Sequence, residues 1–94
     1  MRIHSIEVGE RIYLARKRRN MKQSEVCQIL NISQSAYSNI ETGKTDITIN
    51  TLSTLSEIFG VHPFALLTSD YTDLRPDEIL ELENYKRYII SKRK

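Results

Sequence analysis

The chain has no tryptophan, one cysteine, three glycines and two prolines in 94 residues, and each scarcity removes a class of explanation. One cysteine excludes an intrachain disulfide, so a packed core must hold the fold, and a reducing, cytoplasmic setting is expected. So few turn formers, with no alternating β-branched runs, disfavour hairpins and sandwiches and favour an all-α chain. No apolar run approaches the length needed to cross a bilayer, and MRIHSIEVGERI lacks the apolar stretch of a signal peptide. His4, His62 and Cys27 do not fall at metal-ligand spacing. No nucleophile–base set, phosphate-cradling glycine loop or carboxylate pair in an evident pocket stands out, so no metal, no cofactor and no catalytic residue are expected.

What is present is an ordinary small domain, 39% hydrophobic and 28% charged, with an uneven spread of charge. Residues 1–47 hold eight Lys/Arg against five Asp/Glu, residues 48–85 hold one against seven, and residues 86–94 hold five against none. Basic ends around an acidic middle suit an anionic partner.

Apolar spacing predicts a first helix over 6–19, with Ser5 as N-cap, Val8, Ile12 and Ala15 as its core stripe, and Arg16–Arg19 complementing its C-terminal dipole. Asn20 is expected to end it in a left-handed conformation. A second helix over 23–30 buries Val26, Cys27 and Leu30, and Asn31 again stands where positive φ is wanted. Ser33 caps a third helix over 34–41, with Ala36, Tyr37 and Ile40 inward and Gly43 as C-cap. Thr48 caps a fourth over 49–59, with Ile49, Leu52, Leu55, Ile58 and Phe59 in the core. Pro63 opens a short fifth helix ending near Thr68, whose Phe64 and Leu67 are expected against the first helix. After a polar linker at 69–75, Pro76 opens a last helix with Ile79, Leu82, Tyr85, Ile89 and Ile90 on one side, interrupted by Lys86.

The second and third helices and the turn between them, QSEVCQILNISQSAYSNIETGK, form the centre of a wider pattern. With GERI, ARKRR and T-L-x-x-L-x-x-I-F-G-V-x-P-F-x-L-L, residues 8–67 resemble the lambda-repressor-like, Cro/Xre-type helix–turn–helix family. Asn20 and Asn31 replace the family's usual turn glycine, Cys27 a small alanine, and Tyr37 a buried aliphatic residue, so the Tyr37 hydroxyl must reach water or a partner. The resemblance implies a five-helix domain over 1–68, here followed by the linker and by a C-terminal helix over 76–94. It also implies double-stranded DNA as partner, with the third helix in the major groove. Matching positions assign base contacts to Gln34, Ser35 and Asn39, with Ser38 beside them. They assign phosphate contacts to Gln23, Ser33, Thr42 and Lys44; Arg18, Arg19 and Lys22 either add positive field and direct contacts or serve only the helix dipole and solubility. Arg16 and Glu41 match a family pair that ties the third helix to the first, a structural role. The neutral hydrogen-bonding groups of the third helix fit base readout better than the Glu/Lys pairs of a merely solvated helix.

Dimerisation is expected, since proteins of this class read two half-sites, through Phe64 and Leu67 or through the last helix at Ile79, Leu82, Tyr85 and Ile89; the alternative for the last helix is that its apolar side folds back on its own domain. The resulting expectation is a dimeric transcriptional repressor. The alternatives are an antitoxin-like autoregulator whose last helix captures a protein partner, and a protein-interaction module that no longer binds DNA.

Overall fold

The computed structural model describes residues 5–67 and 74–92. Most of the expected linker, His4 and the last two residues lie outside them, as does the Ile89 side chain. Four helices follow in order, α1 (Ser5–Arg18), α2 (Gln23–Leu30), α3 (Gln34–Thr42) and α4 (Ile49–Phe59). A 3₁₀ turn, Pro63–Leu66, and a C-terminal helix, α5 (Pro76–Lys92), complete the described chain, which has no strand.

The turns form where the backbone demands them. Asn20 (φ 53°) and Asn31 (φ 57°) both take the left-handed conformation that asparagine tolerates better than most residues. Ser33 and Thr48 accept the backbone N–H groups of Ala36 and Thr51, satisfying donors that the first turns of α3 and α4 leave open. Lys22 supplies no such cap, and Glu25 compensates by accepting the Lys22 backbone N–H at 2.9 Å.

The main core joins Val8, Ile12 and Ala15 of α1 to Val26, Cys27, Tyr37, Leu52, Leu55, Phe59 and Leu66. Three expected core positions are corrected. Ile49 is 78% exposed, because the first turn of α4 projects past the core and its buried stripe starts only at Leu52. Ala36 is exposed on α3. Phe64 is 72% exposed and stacks on His62, while Leu66 takes the buried place. Arg11 Nε fastens the 3₁₀ turn to α1 by donating to the Ala65 carbonyl at 3.1 Å.

A second, smaller cluster holds α5. Leu14, Leu74, Leu82 and Tyr85 are buried together, and Tyr13 stacks on Tyr85 with ring centroids 4.0 Å apart. Leu74, read as linker from sequence, belongs to this cluster. The side of α5 expected to meet a second copy therefore packs on its own α1 at Leu82 and Tyr85, whereas Ile79 stays partly exposed. Lys86, which breaks the apolar stripe, lies 3.8 Å from Glu10 of α1.

Glu78, buried in α5, takes both Nε and Nη2 of Arg18. That hydrogen-bonded pairing outweighs burial and holds its carboxyl at about 2, below the ordinary 4.5. A depressed acid stabilises the docked helix above its unfolded pKa and loses that contribution as pH falls through the folded value. Docking of α5 should therefore weaken as pH drops from 4.5 toward 2. Near-ultraviolet circular dichroism of the tyrosine stack checks this, and a signal that does not change across that window contradicts it.

Candidate nucleic-acid interface

Residues 34, 35, 38 and 39 share one side of α3 because i and i+4 lie a turn apart. Gln34 and Ser35 are exposed on the first turn, with Ser38 and Asn39 half-buried on the next. The four side chains expected to read bases are thus brought together on one surface, and all are neutral.

The last turn of α3 is fixed by an ionic knot. Glu41 is fully buried (0% exposed). It accepts Arg16 Nε at 2.6 Å and Arg16 Nη2 at 3.3 Å, a two-pronged contact that fixes direction as well as distance. The Tyr37 hydroxyl, one turn back on α3, donates to the same carboxylate, and Gln23 Nε2 at the start of α2 donates to it at 3.0 Å. Arg16 Nη1 reaches the Met21 carbonyl at 2.8 Å, so one guanidinium joins α1, the turn after it and α3. Burial alone would lower the Arg16 pKa, but the hydrogen bond and charge of Glu41 raise it above its usual value. Burial, then the Glu41 charge, pushes Tyr37 up, so its hydroxyl stays a donor.

At α1 the approach of α3 is closer still. A Cβ on Gly9 would lie 2.3 Å from the Glu41 carbonyl oxygen and 2.8 Å from that of Ile40, so only a glycine lets the end of α3 sit there.

The expected phosphate contacts divide in two. Arg19, Lys22, Ser33 and Lys44 are exposed. The other two, Gln23 and Thr42, have side-chain donors engaged within the protein. The Gln23 amide nitrogen is committed to Glu41, and the Thr42 hydroxyl donates to the Ser38 carbonyl at 3.0 Å or that of Asn39 at 3.4 Å. For Gln23 this leaves the open backbone N–H groups at the start of α2, which attract anions in their own right. Sequence reasoning did not find the Gln23–Glu41 bond, whose partners are 18 positions apart. The Tyr37–Glu41 bond did have a signal, the i, i+4 spacing along one helix.

Beside the reading face lies an open groove of about 530 Å³, whose lining includes Ile29, Ile32, Ala36, Asn39, Ile40 and Asn50. No group of three or more His, Cys, Asp or Glu that could hold a metal occurs among the described residues. No helix among them is long and apolar enough to cross a membrane.

A helix-turn-helix family model matches residues 12–66. Over 72 residues the chain is 33% identical to the SPbeta prophage-derived uncharacterized HTH-type transcriptional regulator YonR of Bacillus subtilis (strain 168), covering 77% of this chain and 67% of that protein. No solved structure gives a significant match.

Proposed function

Because the chain belongs to the Cro/Xre-type helix–turn–helix family, we propose that it is a sequence-specific DNA-binding transcriptional regulator acting as a dimeric repressor. The observation that carries this reading is the neutral face of Gln34, Ser35, Ser38 and Asn39 on a helix whose last turn is locked by Glu41. The major groove presents donor–acceptor patterns that such groups match: Gln and Asn pair with adenine, and Ser contacts several base edges. Arg19, Lys22, Ser33 and Lys44, with the start of α2, then set register on the phosphates. A rigid α3 suits this use, because base readout depends on where the side chains are held. The dimer forms through apolar groups that the fold leaves exposed, among them Phe64 and Ile79. Repression follows from occupying a promoter site in competition with polymerase.

Selection of bound sequences from random double-stranded DNA tests the proposal. The expected product is an inverted repeat with half-sites about one helical turn apart. Affinity for it should fall with salt by a slope of about 0.9 per phosphate contact on logarithmic axes. Recovery of no enriched sequence overturns the reading. Gln34→Ala should weaken the best site about tenfold and relax one position of each half-site, consistent with about 1–3 kcal/mol per paired base contact. Its salt slope and non-specific binding should stay as in the parent. A loss spread equally over all sequences would place Gln34 on the backbone instead.

A further inference from the structure

Five cations, Arg16, Lys17, Arg18, Arg19 and Lys22, cluster where α1 ends and α2 begins, beside the helix start read above as a phosphate site. The fold distributes them unequally. Arg16 belongs to the Glu41 knot, and Arg19 and Lys22 are exposed. Arg18 and Lys17 are instead engaged by α5, a helix that lies beyond the matched family region at 12–66. Arg18 gives both Nε and Nη2 to Glu78, and Lys17 Nζ lies 3.8 Å from Glu81.

We infer that α5 is a charge mask: docked on α1, its Glu78 and Glu81 occupy Arg18 and Lys17, and undocking releases both cations to DNA phosphate. The inference rests on the DNA-binding reading, since it concerns how strongly that same surface attracts the duplex. Carboxylate and phosphate oxygens compete for the same donors in the same geometry. The Arg18 and Lys17 side chains keep 41% and 47% of their surface exposed, so a phosphate reaches them once the acids leave. The mask is also separable. Its apolar contacts form the small Leu14, Leu74, Leu82 and Tyr85 cluster, apart from the main core, and such a unit opens at lower free energy than the whole domain.

The test uses the full chain and a mixed-sequence DNA duplex titrated with salt. In Glu78→Gln/Glu81→Gln the slope should steepen by about one to two, as one or two phosphate contacts are gained, and binding at low salt should tighten. A charge-matched control, Glu57→Gln/Glu83→Gln, alters exposed acids outside the Arg18 and Lys17 pairings and should leave the slope unchanged. Adding Arg18→Gln should weaken binding in the Glu78/Glu81 variant and hardly at all in the parent. Equal slopes in the two double variants, or an equal Arg18→Gln effect in both backgrounds, overturn the mask while leaving DNA binding intact. A parent chain that binds no duplex overturns both.

Discussion

Replacing Glu41 with alanine is expected to destabilise the domain by about 3–5 kcal/mol, the range for removing one partner of a buried ion pair. In a chain of this size that lowers the melting temperature by roughly 12 °C or more. The cost comes from what remains. Arg16, Tyr37 and Gln23 all donate to this one carboxylate, and alanine leaves a buried guanidinium, hydroxyl and amide without it. The pair's own attraction is a poor guide to that loss, because its gain is largely offset by desolvation. A compensated variant separates the two. Arg16→Met/Glu41→Leu/Tyr37→Phe removes the acceptor together with two of its donors and should recover most of the lost stability. A triple variant as unstable as Glu41→Ala would show that orphaned donors are not the cause. Below its melting temperature, Glu41→Ala should select the same DNA sequence as the parent, since Glu41 is fully buried and offers no side-chain atom to a base. A changed sequence preference would give Glu41 a part in readout.

The arrangement just described was only partly legible in the sequence. Order and bounds of α1 to α4 follow from apolar spacing and from local capping by Ser33, Thr48, Gly43 and Gly60, and local signals of that kind survive folding. The Tyr37 hydroxyl announced a need for a partner, but which group meets it depends on where Glu41 points. The errors fall where tertiary context decides. Ile49 has the right period for the core and no neighbour beneath it. In the short 3₁₀ turn Leu66 rather than Phe64 enters the core, and four residues are too few for periodicity to tell them apart. On α5, periodicity shows that one side is buried without saying against what. Leu82 and Tyr85 found Leu14 and Tyr13 of the same chain, and Tyr13, pushed up to about 12 by burial and its bond to Glu81, stays a hydroxyl donor there. The charges held a clue that a stripe analysis passes over. Glu78, Glu81 and Lys86 on α5 complement Arg18, Lys17 and Glu10 on α1, in antiparallel order.

Gly9→Ala should lower stability by about 3 kcal/mol, the upper part of the usual range for overpacking, although the same exchange inside a helix ordinarily gains up to about 1 kcal/mol. The sign is set by what the new methyl group meets. Its nearest neighbours are the carbonyls of Glu41 and Ile40, at 2.3 and 2.8 Å, and these are main-chain atoms that no rotamer change moves aside. Relief requires α1 and α3 to separate along the contact where the Arg16–Glu41 knot needs them close. The methyl group therefore strains the knot as well as the packing, and the two losses are coupled rather than additive. Thermal unfolding of Gly9→Ala, Glu41→Ala and the double variant measures this. The double should lose less than the two singles together, because α3 without its tether can already move away from the methyl. A Gly9→Ala protein that melts higher than the parent would mean helix propensity wins and the close approach is absent. Strict additivity would mean that Gly9 and the knot position α3 independently. Under coupling, one contact does both: glycine sets how near the reading helix comes, and Glu41 keeps it there.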